Sequence, residues 1–132
     1  MNRVSIIILN YNTFDLTCKC IRSVYATNRS ISELGIIVVD NGSTENVGTT
    51  FKEVFPEVKE VILSENLGFE KGNKVGLKLA RNSYVILLNS DVIIQEENTS
   101  YRCITKIMRG SNNLVHLPAL LTQEGPREIA CV

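Results

Sequence analysis

The seven residues Val4–Asn10 (VSIIILN) form a continuous apolar run that is rich in β-branched side chains and ends in a polar residue. Such a run is typical of a strand that is covered on both faces, as in parallel sheets. Downstream, residues 34–39 (LGIIVV), residues 58–63 (VKEVIL, shorter in its apolar part) and Tyr84–Asn89 (YVILLN) are also predicted as strands. These runs predict a buried sheet at the centre of the protein.

The segments between the strands have apolar residues at helical spacing. The predicted helices cover residues 13–26, 45–55, 68–80 and 99–108. Thr13 is expected to cap the first helix, and Pro56 to end the second. Leu16 in the first helix and Phe69 in the third are predicted to face the sheet.

Alternation of strands with helices indicates an α/β fold with a mostly parallel sheet and right-handed crossovers. We predict a Rossmann-like three-layer sandwich with strand order 3-2-1-4. Residues 114–117 are a candidate fifth strand, whereas residues 122–132 show no clear pattern.

The composition excludes several classes of function. The chain has 132 residues, with 14 Lys and Arg against 14 Asp and Glu, so its formal net charge is zero. Without a basic excess, and with no Trp, it does not resemble a nucleic-acid-binding protein. No apolar run approaches the roughly 20 residues of a membrane span. Four cysteines without metal-ligand spacing indicate free thiols in a reducing cytoplasm.

Polar side chains follow every predicted strand. Ligands of open parallel sheets bind beyond the carboxyl ends of the strands, so these residues are expected to share one crevice. They are Asn10, Tyr11 and Asn12 after the first strand, Asp40 to Ser43 after the second, Ser64 to Asn66 after the third, and Asn89 to Asp91 after the fourth. Because no glycine follows the first strand, a dinucleotide-binding fingerprint is excluded.

Gly68, Gly72 and Gly76 recur every four residues on one face of the third predicted helix. Small residues on one face allow a helix to pack closely on a sheet. For Gly68 and Gly72, near the helix start, the alternative is a backbone that approaches a diphosphate.

Four segments together follow the pattern of a known family. They are residues 4–12 (VSIIILNYN), 36–43 (IIVVDNGS), 66–76 (NLGFEKGNKVG) and 87–91 (LLNSD). They resemble family 2 glycosyltransferases of the GT-A fold, in particular the rhamnosyltransferase-like branch. Their order and spacing over residues 4–94 make the resemblance specific. It implies a domain that binds a nucleotide-diphosphate sugar, with Asn10 among the binding residues.

The resemblance also implies roles for individual side chains. Tyr11 would stack on a pyrimidine base, the alternative being a tyrosine packed on the end of the sheet. Asp40 would accept the imide N–H of uracil or thymine, the alternative being a cap on the following turn. Asn66 and Lys71 would contact base or phosphate, although Lys71 fits a solvated lysine equally well.

The fourth segment stands where the family has its Asp-x-Asp metal motif. Here Asn89 replaces the first acid, so it would bond a ribose hydroxyl and add no charge. Asp91 would then be the metal ligand for Mg²⁺ or Mn²⁺, which prefer hard oxygen ligands. A single carboxylate predicts weak affinity for the ion in the absence of nucleotide.

An inverting transferase needs a general base, which the resemblance places beyond Val132. Residues 1–132 would therefore be the nucleotide-sugar-binding part of the domain, inactive alone. Glu96 and Glu97 are interpreted as charges at a helix start, and His116 as structural.

The sequence thus predicts part of an inverting, metal-assisted glycosyltransferase of polysaccharide biosynthesis, which moves a sugar from a UDP- or dTDP-sugar to a glycan or lipid-linked acceptor. It would act in the cytoplasm or at the inner face of the membrane. The alternative is a module that binds nucleotide without transferring sugar. A response-regulator-like domain does not fit, because Asn10 and Asn12 are neutral. We also expect self-association if Tyr84–Asn89 is an uncovered sheet edge.

Overall fold

The structure is a computed structural model that describes residues 4–28, 34–82 and 84–95, and the backbone of residues 128–131. Within these residues, eight elements follow one another. They are β1 (Val4–Asn10), α1 (Phe14–Thr27), β2 (Leu34–Asp40), α2 (Phe51–Val54), β3 (Lys59–Ile62), α3 (Gly68–Leu79), β4 (Tyr84–Asn89) and β5 (Glu128–Cys131). The predicted elements at residues 99–108 and 114–117 lie outside the described residues, as do Glu96, Glu97 and His116.

All strands of the sheet are parallel, in the order β3-β2-β1-β4-β5. The predicted order 3-2-1-4 is therefore confirmed. In register, Asn10 pairs with Asp40, and Leu9 pairs with Asn89. The carboxyl ends of the three central strands thus meet at one edge of the sheet, as expected for the ligand crevice.

The condition for the expected self-association, that β4 is an uncovered edge, is not met. β5 pairs with β4 from Tyr84 opposite Glu128 to Leu87 opposite Cys131. From Tyr84 to Leu87, β4 therefore has a neighbouring strand on both sides. The expected self-association through this edge loses its basis, since its premise was a strand without a neighbour.

Apolar side chains cover both faces of the sheet and make it the middle of three layers. Ile6 and Ile8 of β1 face one core with α1, whereas Ile7 faces the other core with Leu77 of α3. Each isoleucine is almost fully buried, and burial of such a side chain contributes roughly 1.5–3 kcal/mol. This two-sided burial explains why β1 reads as a continuous apolar run.

Two glycines of α3, Gly72 and Gly76, allow the helix to pack closely on the sheet. A Cβ atom at Gly76 would lie 2.6 Å from Cγ2 of Ile7, and one at Gly72 would lie 2.7 Å from Cδ1 of Leu9. Of the two interpretations, the structure supports packing for both residues. Gly68 has no such neighbour within 4 Å and stands at the start of the helix.

The second helix is much shorter than predicted. Gly48 has a φ of +74°, and its N–H donates to Oδ1 of Asn46 (2.9 Å), so the chain turns where a helix was expected. Thr50 then caps α2, and its Oγ1 accepts from Glu53 N (3.2 Å). Residues 41–50 therefore form a loop, which lines one side of the candidate site.

Two predicted core residues lie on the surface. Leu16 is 44% exposed and Phe69 is 59% exposed. Both lie in the first turn of their helix, which follows directly on the loop after a strand.

Candidate functional site

A cavity of about 100 Å³ opens at the carboxyl ends of β1, β2 and β3. It lies between the end of the sheet and the loop that replaces the predicted second helix. Its lining residues are Asn10, Asn12, Phe14, Asp40, Ser43, Glu45, Asn46, Val47, Thr49, Thr50, Phe51, Glu60 and Ile62. Thus Asn10 and Asp40, which were predicted from the strand ends, line one cavity.

The carboxylate of Asp40 is held through one of its two oxygens. Oδ1 accepts from the N–H of Ser43 (3.2 Å), from Oγ of Ser43 in a short bond, and from Nδ2 of Asn10 (3.4 Å). Among the described residues, no hydrogen bond to Oδ2 is found. The capping interpretation therefore applies to Oδ1, while Oδ2 is the oxygen that can accept from a ligand.

Asn10 links the loops around the cavity from a buried position. It is 2% exposed, and its Oδ1 accepts from Oγ1 of Thr17 (2.7 Å) and of Thr13 (3.0 Å). Its backbone oxygen accepts from Asn41 N (2.8 Å). Its side chain is bonded within the protein, and its contact with a nucleotide stays a prediction.

Tyr11 and Asn12 lie just beyond the end of β1. Tyr11 is 43% exposed at this edge, a position open to a stacking base. Asn12 has a φ of +52° and bonds to residues 43–45 of the neighbouring loop. Sequence reasoning gave Asn12 no role, although asparagine is among the residues that best tolerate this conformation.

A second asparagine, Asn41, fixes the loop between β3 and α3. It is 2% exposed; Oδ1 accepts from Leu67 N (2.9 Å), and Nδ2 donates to Oδ1 of Asn66 (3.0 Å) and to the carbonyl of Gly68 (3.2 Å). Asn66 and Lys71 are exposed beside this network. Asn41 thus fixes the loop that carries Asn66, a role that the sequence did not predict. Neither Asn66 nor Lys71 is among the residues that line the cavity, and their contact with a ligand stays a prediction.

The end of β4 carries Asn89 and Asp91, both exposed. The backbone oxygen of Asn89 accepts from Val92 N (3.1 Å), which forms the turn that presents Asp91. Oγ of Ser90 lies 3.4 Å from Oγ1 of Thr13, so this turn is tied to the loop after β1. Asp40 and Asp91 therefore lie at the same edge of the sheet, as predicted.

A buried thiol lies beneath this turn. Sγ of Cys20 donates to the carbonyl of Asn89 (3.7 Å). Burial, and secondarily the negative charge of Asp91, raise the pKa of Cys20 to about 12. Burial also raises the pKa of Cys18. Burial thus favours the protonated form of both thiols, which is the less nucleophilic one.

Comparison with known proteins decides the family. Residues 5–129 match the model of glycosyl transferase family 2, which is nearly the whole chain. The chain belongs to this glycosyltransferase family. The family is one of enzymes, and its fold agrees with the parallel sheet described above.

Several relatives of this glycosyltransferase chain are known. Glycosyltransferase GlyG of Streptococcus pneumoniae serotype 4 is 26% identical over 96 residues, covering 70% of this chain and 31% of the relative. An uncharacterized glycosyltransferase of Nostoc sp., alr2836, is 33% identical over 92 residues (67% and 28%). A chondroitin synthase of Escherichia coli is 28% identical over 96 residues (71% and 14%). The chain thus spans less than a third of the length of each.

The fold of the chain is shared with a solved structure. The crystal structure of Staphylococcus aureus TarS residues 1–349 superposes with a TM-score of 0.66 at 23% identity, covering 81% of this chain and 32% of that one. Among the helices that the structure describes, none is long and apolar enough to cross a membrane.

Proposed function

We propose that this glycosyltransferase chain binds the donor, a UDP- or dTDP-sugar, at the cavity beside Asp40. The observation that supports this most strongly is the state of the Asp40 carboxylate, with Oδ1 saturated by protein donors and Oδ2 without a described partner. A carboxylate oxygen at a cavity wall suits an N–H donor of a ligand. Uracil and thymine carry such a donor at N3, between two carbonyl oxygens.

The surroundings of Asp40 suit a flat pyrimidine. The cavity volume of about 100 Å³ is of the order of one small ring rather than a drug-sized ligand. Ile62, which pairs with Asp40 in register, is 63% exposed, and Val47 is 47% exposed; both line the cavity. These apolar surfaces would cover the base, and Tyr11 would stack on it.

The residues at the end of β4 fit a divalent cation bound together with the donor. In the described part of the chain, no group of three or more His, Cys, Asp or Glu residues could hold a metal. One carboxylate, Asp91, and the amide oxygen of Asn89 match the usual Mg²⁺ arrangement, in which few protein ligands combine with substrate phosphates. When bound, Mg²⁺ or Mn²⁺ supplies Lewis-acid stabilisation of the departing diphosphate.

Asp91→Ala is expected to remove only the metal-dependent part of nucleotide binding. In calorimetric titrations of the unmodified chain, manganese should strengthen binding of uridine diphosphate by about tenfold, because the cation joins phosphate to carboxylate. In Asp91→Ala this gain should disappear, while affinity without manganese stays the same.

The matched control is Glu57→Ala. Glu57 is an exposed acid just before the amino-terminal end of β3, on the side of the sheet opposite to Asp91. Its loss should therefore leave the manganese-dependent gain in affinity intact. A manganese gain that survives in Asp91→Ala would place the cation elsewhere.

The remaining parts of the proposal concern the transfer reaction. We propose an inverting reaction with a glycan or lipid-linked acceptor; the likeness to a chondroitin synthase supports a glycan. No described residue is assigned as the general base.

The buried, reduced Cys18 and Cys20 agree with a cytoplasmic site of action. Sugar transfer and nucleotide binding should be measured together. Binding with transfer indicates a transferase, whereas binding without transfer indicates a module that only binds nucleotide.

A further inference from the structure

Ser43 occupies the centre of the hydrogen-bond network around Asp40. Its Oγ accepts from the N–H of Asn12 (2.9 Å) and from Nδ2 of Asn10 (3.3 Å), and it donates to Oδ1 of Asp40. A hydroxyl has one proton and two lone pairs. Because both lone pairs face donors, the proton of Ser43 is directed at the carboxylate, and Oδ1 stays engaged.

Asn12 holds the turn that carries Ser43. Its Oδ1 accepts from the backbone N–H groups of Thr44 (2.9 Å) and Glu45 (3.0 Å), and its Nδ2 donates to Oγ1 of Thr44 (3.0 Å). Together with the bond from its own N–H, it makes four bonds across a separation of about 30 residues. The loop after β1 thereby fixes the loop after β2 at Ser43 and at the two residues that follow it.

We infer that Ser43 and Asn12 are positioning residues that set the base selectivity of this site by orienting the carboxylate of Asp40. They keep Oδ1 turned into the protein, which leaves Oδ2 to receive the N3–H of the base. The inference rests on the proposed function and extends it to two residues that act through Asp40. Its consequence is specific: loss of either residue weakens binding of a base that donates at N3 more than binding of one that does not.

Ser43→Ala and Ser43→Thr test the role of the hydroxyl. Uridine diphosphate donates at N3, whereas N3 of cytidine diphosphate is an acceptor. In calorimetric titrations with each nucleotide, Ser43→Ala should lower the affinity for uridine diphosphate by about tenfold. The affinity for cytidine diphosphate should stay within about twofold, and Ser43→Thr should restore the uridine preference because it keeps the hydroxyl.

Asn12→Gly tests the contact between the two loops. Glycine accepts the positive φ, so this variant removes the side-chain bonds without adding backbone strain. Amide hydrogen exchange of Thr44 and Glu45 should accelerate by about tenfold, because both lose their acceptor. The affinity for uridine diphosphate should fall by about fivefold, again with little change for cytidine diphosphate.

The outcomes separate this inference from the proposed function. Equal losses for both nucleotides in Ser43→Ala, or no restoration in Ser43→Thr, would overturn the inference and leave nucleotide binding standing. Unchanged uridine affinity in Asn12→Gly despite faster exchange would overturn the role of Asn12. An unmodified chain that binds neither uridine nor thymidine diphosphate would overturn both claims.

Discussion

Asp40→Ala is expected to lower the affinity of the chain for uridine diphosphate by about 10- to 100-fold, with or without manganese. The side chain removed is the carboxylate whose Oδ2 is proposed to accept the N3–H of the base. A charged hydrogen bond of this kind contributes about 1.5–3 kcal/mol. The cation is proposed to contact the phosphates and not the base, so the loss should not depend on it. Isothermal titration calorimetry in both conditions measures this.

Asp40→Asn gives a sharper version of the same test. Three donors surround Oδ1, so the amide oxygen is expected to take that position and leave the NH₂ group facing the ligand. The variant should then repel the N3–H of uracil and bond to N3 of cytosine. Uridine diphosphate affinity should fall by about tenfold or more, and cytidine diphosphate should become the preferred ligand. Retained uridine preference in this variant would mean that Asp40 does not contact the base.

Gly42→Ala is expected to destabilise the fold by about 2–5 kcal/mol. Gly42 has a φ of +73°, which costs a residue with a side chain about 1–2 kcal/mol. A Cβ atom there would also meet the backbone of the β3–α3 loop, at the carbonyl carbon of Glu65 and 2.6 Å from the nitrogen of Asn66. Backbone atoms cannot move aside as a side-chain end can. The midpoint of urea-induced unfolding should therefore fall clearly.

Gly48→Ala is the matched control for this substitution. Gly48 has almost the same φ, +74°, but a Cβ atom there would have no neighbour within 4 Å. Its cost should be limited to the backbone term of about 1–2 kcal/mol. If the two variants unfold at the same urea concentration, the contact between Gly42 and the β3–α3 loop contributes nothing measurable.

The central strands could be predicted from the sequence because each is buried on both faces. Val4–Asn10 and Tyr84–Asn89 were predicted with the bounds that the structure has, and the predicted strand order 3-2-1-4 agrees with the structure. Asp40 and Asp91 were predicted to lie on the same side of the sheet because the carboxyl ends of parallel strands lie together. A continuous apolar run indicates that a strand is buried on both faces, and this was enough to predict the central strands.

The errors come from interactions that a local pattern does not contain. Val47, Phe51 and Val54 have helical spacing, and a helix was therefore predicted from residue 45. The turn between Asn46 and Gly48 interrupts it, so that the helix begins only at Phe51. β5 is four residues long, and its strand character depends on pairing with β4, about 40 residues earlier in the chain.

Two roles within the site could not be predicted from the sequence, for the same reason. Asn12 and Asn41 act through side-chain bonds to loops 25–33 residues away along the chain. A spacing pattern cannot show which asparagine makes such bonds, because their partners are brought near only by the assembled sheet.

The most direct test of nucleotide binding at Asp40 is a titration of the ¹⁵N-labelled chain with uridine diphosphate, followed by amide chemical shifts. The largest changes should fall on Asn12, Asp40, Ser43 and Glu45, which line the cavity. Tyr11, which is proposed to stack on the base, should shift with them. Saturable changes confined to the opposite edge of the sheet, or no change around Asp40 at saturating nucleotide, would contradict the account.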